Sequence, residues 1–197
     1  MLHIRPARMA DLPAIMRIQA QCYTAIVPES AASMGAKIQA SPDTCLVASA
    51  GTDADLCAYF LAVPWRFDSP PSLDQAHCTL PAEPDCLYLH DLAVAPARRS
   101  TGAGHALVQK MLAVFRDSPF DKACLIAIQG ARTYWQKHGF EPVLPLAPAL
   151  HHQISGYGAD ARYMQLLRPS LPLPNGSHPR GMNLLADLFA PQTLPGG

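Results

Sequence analysis

Four kinds of side chain in this chain can do chemistry together. His90 and Asp91 sit side by side in the run Leu87-Tyr88-Leu89-His90-Asp91-Leu92-Ala93-Val94, Glu29 lies between two helical patterns, and Tyr134 opens Tyr134-Trp135. An imidazole and two carboxyls are groups that take a proton from a nucleophile, and a phenol is one that returns it to a leaving group. Downstream of His90-Asp91 comes Arg99-Ser100-Thr101-Gly102-Ala103-Gly104-His105, two glycines at the mouth of a helical pattern beside an arginine. A helix start leaves N–H groups unpaired and carries partial positive charge. Glycine lets a bulky oxyanion approach that backbone, and arginine adds charge and a bidentate donor. The stretch therefore reads as a diphosphate cradle close to acid–base groups.

Of two common cradles, one is excluded and the other weakened. A P-loop requires Lys and then Ser or Thr after its last glycine, and His105-Ala106 stand there. A dinucleotide fingerprint requires a small residue three places after Gly104, and Leu107 occupies that place. The elements around the cradle are legible. Cys86 to Val94 is apolar enough for a strand buried on both faces, and Pro96 ends it. Leu107, Val108, Met111, Leu112 and Phe115 recur on one helical face. Before them come a short strand Leu2–Arg5, a helix capped by Asp11 running to about Tyr23, and a second helix over 29–40. A hairpin of Thr44–Ala50 and Asp55–Val63 follows. After them come a strand 122–128, a short helix 129–138 ended by Gly139, a strand 140–146 interrupted by prolines, and a last strand 161–167. Residues 64–85 and 146–160 read as loops.

Arg99-x-x-Gly102-x-Gly104 behind a strand ending Leu92-Ala-Val94-x-Pro96 resembles the acetyl-CoA signature of the GNAT superfamily of N-acetyltransferases. Ala131-x-x-Tyr134-Trp135-x-Lys137-x-Gly139-Phe140 resembles the second signature of that family, and the element order over about 1–168 is that of its fold. The resemblance implies an α/β protein of α+β type, with a mixed, mostly antiparallel sheet of about seven strands flanked by helices. It implies acetyl-CoA as co-substrate and direct attack by a primary amine, from a small molecule or a protein. By position, the cofactor falls to Leu92, Ala93, Val94, Arg99, Ser100, Thr101, Gly102, Ala103, Gly104, His105, Gln129 and Trp135. The thioester oxygen falls to a main-chain N–H of Leu92 or Val94. The family often has tyrosine where this chain has Trp135, and an indole N–H is no useful acid. Tyr134 is the candidate acid that remains in the motif, with Tyr157 a further one. His90, Asp91 and Glu29 are the candidate bases. Strict alternation puts His90 and Asp91 on opposite faces, but a bulge would break the parity, so both stay open. A module of the same fold that binds acyl-CoA with little turnover is the alternative.

Composition sets the remaining bounds. There are 15 basic and 15 acidic residues among 197, with no basic field for nucleic acid and no polybasic membrane patch. No apolar run is long enough to span a bilayer and none reads as a secretory signal. Six scattered cysteines without a C-x-x-C read as free thiols in a reducing cytoplasm, and His151-His152 lacks a third ligand at fitting spacing, so no metal is expected. A homodimer is left open. Nine of the 20 prolines fall from Pro142 onward, and 169–197 reads as a proline- and glycine-rich mobile tail.

Overall fold

The computed structural model describes residues 2–24, 27–52 and 55–168. The tail expected over 169–197, and with it the boundary at 168, lies outside the described residues.

Seven strands form one sheet: β1 (Leu2–Pro6), β2 (Cys45–Ala50), β3 (Leu56–Trp65), β4 (Cys86–Val94), β5 (Lys122–Ala127), β6 (Glu141–Pro142) and β7 (Arg162–Leu167). Their order is β1-β2-β3-β4-β5-β7-β6. Only β4 and β5 are parallel, and the other neighbours run antiparallel. This is the mixed, mostly antiparallel sheet expected. One face carries α3 (Ala103–Asp117) and the short α4 (Arg132–Gln136), and the other carries α1 (Leu12–Cys22), α2 (Ala31–Ala40) and α5 (Pro148–Ser155). Leu107, Val108, Met111 and Phe115 of α3 meet Leu87 and Leu89 of β4. Ile15 and Ile18 of α1 and Met34 and Ile38 of α2 meet Val47, Tyr59 and Leu61. The helical and strand periods thus supply two matched apolar layers, one on each side of the sheet.

Several elements differ from the expectation for local reasons. Asp11 stands at the N-cap of α1 as expected, but its side chain makes no capping hydrogen bond to that helix. It closes a 3-10 turn over Met9–Asp11, where its carboxylate accepts from Arg8 N at 2.8 Å and from the Arg5 guanidinium at 2.7 and 2.9 Å. The helix expected over 129–138 shrinks to α4 because Gln129 and Gly130 adopt left-handed backbone, at φ 52° and 73°. The strand expected over 140–146 pairs only at Glu141 and Pro142. Pro142 and Pro145 offer no donors to extend it. Within the stretch read as a loop, α5 forms with Pro148 in its first turn and buries Leu150 and Ile154, one helical turn apart. The segment 66–85 has no helix or strand but is packed. Tyr163 Oη donates to Phe67 O at 2.7 Å, and Gln153 Nε2 donates to Pro70 O at 2.6 Å. The cysteines are free, and four are buried.

Candidate active site

β4 and β5 pair only at Leu87–Ala123 and Tyr88–Cys124 and then part, although β4 runs on to Val94. The gap opens a cleft of about 600 Å³ that runs from the bulge in β4 to the start of α3. Leu92 to Val94, Arg99, Ser100, Gly102 to His105, Gln129 and Trp135 line it. Thr101 does not, and its hydroxyl donates to Arg98 O at 2.7 Å.

The α3 end is built to receive an anion. Ser100 and Gly102 have left-handed backbone, at φ 67° and 86°. Ala106 N donates to Gly102 O as the first bond of the helix, which leaves the N–H groups of Ala103, Gly104 and His105 without helical partners. A side chain at 104 would meet Val94 Cγ2 at 3.1 Å, so glycine lets the start of α3 lie close against β4. Arg98 is tied to Asp55 at 3.0 Å, whereas Arg99 makes no side-chain hydrogen bond or ion pair among the described residues. A free guanidinium, a left-handed turn and three unpaired N–H groups together suit a diphosphate.

The far end is organised by the bulge. Leu61 pairs with Asp91 and Ala62 with Leu89, so His90 is the extra residue. Parity therefore breaks at His90. Leu89 and Leu92 pack toward α3, while His90 and Asp91 both reach partners on the α1–α2 side. The His90 ring is 2% exposed although the residue as a whole is half-buried, so its main chain is what meets the cleft.

His90 Nε2 bonds Glu29 Oε1, and among the described residues His90 Nδ1 is buried without a partner. Glu29 Oε2 accepts from Ser33 Oγ at 2.6 Å, Lys37 Nζ at 2.8 Å and Asp74 N at 3.0 Å. Burial pushes the Glu29 carboxyl up, but the His90 and Lys37 contacts outweigh it and hold it well below the usual range. Asp91 accepts from Tyr23 Oη and from Tyr59 Oη, the latter at 2.6 Å. Burial nevertheless raises its carboxyl above the ordinary value. The two carboxyls, which also repel each other, are thus driven in opposite directions, Glu29 below and Asp91 above the ordinary value.

Tyr134 lines the cleft, but its hydroxyl lies beside Gly104, 3.8 Å from where a Cβ there would sit. Trp135 packs against Phe60 and Phe140, with ring centroids 6.0 and 5.4 Å away. Tyr157 packs among the residues around α5. The sequence reading missed Tyr23, Ser33, Lys37 and Asp74. Lys37 carried a signal: it falls on the apolar face of α2 with Met34 and Ile38, where a lysine needs an anionic partner. Tyr23 and Asp74 carried none, because only the fold brings them to β4 and to Glu29.

A cleft between two parting parallel strands, with the unpaired N–H groups of a helix start at one end, is the central feature of this fold. The sequence profile of the Acetyltransferase (GNAT) family matches residues 12–140, and the chain belongs to that family. Comparison with curated proteins finds no match. Solved structures match the fold. The loading GNATL domain of CurA from Lyngbya majuscula is 12% identical with a TM-score of 0.65, covering 85% of this chain and 98% of that one. The ribosomal-protein-S18-alanine N-acetyltransferase from Escherichia coli is 16% identical with a TM-score of 0.60, covering 90% and 100%. A GNAT family acetyltransferase from Brucella melitensis, solved in complex with acetyl-CoA, is 18% identical with a TM-score of 0.52, covering 90% and 94%. Among the described residues no helix is long and apolar enough to cross a membrane, and no cluster of three or more metal-type ligands occurs.

Proposed function

We propose that this protein moves an acetyl group from acetyl-CoA to a primary amine by direct attack, without a covalent enzyme intermediate. The observation that carries the reading is the single cleft joining the unpaired N–H groups of α3 to the bulge at His90. In this reading Arg99 and the amides of Ala103, Gly104 and His105 hold the diphosphate. The edge of β4 from Leu92 to Val94 aligns the pantetheine arm, with Gln129 and Trp135 opposite. A main-chain N–H of the same stretch holds the thioester oxygen as it gains charge.

An alkylamine is mostly protonated at neutral pH, so attack needs a proton acceptor. Glu29 and His90 supply it through a water chain, since the His90 ring lies buried behind its own main chain. With the ring proton on Nε2 shared with Glu29, Nδ1 is left as an acceptor that no other described group uses. Lys37 and Ser33 keep the carboxylate in place. Amine from a small molecule and amine from a protein both satisfy this chemistry.

The test is thiol release from acetyl-CoA across a panel of small and peptide amines. Release above the uncatalysed rate supports the reading. Tight acetyl-CoA binding with no release for any amine would favour the binding module instead, a reading that Trp135 at the usual acid position keeps alive.

A further inference from the structure

A second cavity opens where β6 ends early. β6 stops at Pro142, and Val143 N makes one more bond, to Tyr163 O at 2.9 Å. Pro145 then has no N–H to offer, and the chain crosses to α5, which begins at Pro148. Leu150 and Ile154 hold α5 to the core, while His151 and Ser155, one turn apart, face the gap left beside β7. That gap is a cavity of about 490 Å³ that shares no lining residue with the cofactor cleft. Small-molecule pockets usually measure about 300–1,000 Å³.

The walls of this cavity are of two kinds. Ile154, Ala161 and Tyr163 are buried and Val143 and Leu146 half-buried, so its floor is apolar. Arg132, His151 and Arg162 are exposed and form a cationic rim. No Asp or Glu lines it. The nearest carboxyls in sequence are Glu141, just before the lining, and Asp160, whose Oδ2 accepts from Gly130 N at 2.9 Å. That bond draws the turn leading to Arg132 against the turn leading to Arg162, which sets two guanidinium groups on one cavity. Arg162 Nη1 donates to Ala159 O at 3.0 Å and to Ala161 O at 2.7 Å, and its other nitrogens have no partner among the described residues. Arg132 makes no side-chain hydrogen bond or ion pair among the described residues. Like charges gathered on one rim repel unless an anion joins them.

We propose that this cavity is a second binding site, for an organic carboxylate whose head sits on the arginine rim and whose apolar body covers the floor. A guanidinium presents paired N–H groups that match the two oxygens of a carboxylate. His151 adds a ring N–H donor on the α5 side. The floor contributes through apolar area taken from water, which an inorganic anion cannot use. The inference is independent of the acetyl-transfer reading, because none of these residues belongs to the cofactor cleft.

The experiment is an amide NMR titration of the full chain with phenylacetate and with octanoate. Phenylacetamide, which keeps the apolar body without the charge, and inorganic phosphate, which keeps only charge, are titrated beside them. At least one carboxylate should bind, with shifts gathered at 142–146 and 151–163, and about tenfold or more tighter than phenylacetamide or phosphate. Saturating coenzyme A should not displace it. Arg132→Gln should lower the affinity about tenfold, with Tm unchanged because that side chain holds nothing in the fold. His151→Leu, on a different element, should lower it about threefold. Phenylacetamide or phosphate binding as tightly as the carboxylates overturns the assignment of ligand class. Displacement by coenzyme A, shifts gathered elsewhere, wild-type affinity in Arg132→Gln and His151→Leu, or no binding of either carboxylate overturns the site. None of these results bears on whether thiol is released from acetyl-CoA.

Discussion

At the residue scale the site is a pair of carboxyls pushed apart by their neighbours. Glu29 is buried with Lys37, Ser33 and His90, and its charge depends on them. Removing Lys37 while keeping Glu29 leaves a buried anion without its cation, which costs about 3–5 kcal/mol. Lys37→Met should therefore lose about that much stability to urea at neutral pH, and Lys37→Met with Glu29→Gln should recover most of it. The pH dependence follows from the depressed carboxyl. Glu29 contributes stability above the unfolded carboxylate value of about 4.3, and loses it as pH falls toward the lower folded value. Wild type should weaken progressively below about pH 4.3, and Glu29→Gln should flatten that limb in acid-unfolding curves.

At the element scale the decisive feature is one extra residue in β4. His90 separates Leu89, which packs toward α3, from Asp91, which faces α1. Deleting His90 would leave those two adjacent and still on opposite faces, so the core pattern survives. The expected outcome is a folded protein, with Tm lowered by about 6 °C or less and acetyl transfer reduced about 100-fold. An unfolded product would show that the bulge holds the sheet rather than the site. The start of α3 makes a second test. Gly104→Ala adds a Cβ 3.1 Å from Val94 Cγ2 and shifts the amides of the α3 start away from β4. Coenzyme A affinity measured by calorimetry should fall about tenfold or more, with Tm unchanged or raised, since alanine favours helix over glycine by about 1 kcal/mol.

At the scale of the whole molecule, ligand binding and stability are one equilibrium. At a hundred times Kd, acetyl-CoA should add about 2.7 kcal/mol, which for a chain of this length raises Tm by about 5–10 °C. Arg99→Glu, at the one cradle arginine with no partner among the described residues, should abolish most of that shift while leaving the Tm of the free protein close to wild type. A shift as large as wild type would place the diphosphate elsewhere.

Most of the sheet and the helices α1 to α3 were legible because each is written locally, whereas α5 fell in a stretch read as a loop. The apolar run over Cys86–Val94, period 3.6 over Leu107–Phe115 and the glycines at 102 and 104 need no distant partner to be read. The acid–base site was legible only in its ingredients. Alternation assigned His90 and Asp91 to opposite faces, and it took the pairing of β4 with β3 to reveal the extra residue that puts both on one side. Tyr23 and Asp74 come from the end of α1 and the 66–85 segment, and nothing in their own stretches marks them for chemistry, whereas Lys37 is marked only as a lysine on the apolar face of α2. The sequence alone determined what an anion would meet, since a helix start and its glycines carry that property wherever they are packed. Which groups exchange protons was decided by tertiary structure, because proton affinity is set by burial and by charges brought in from far along the chain.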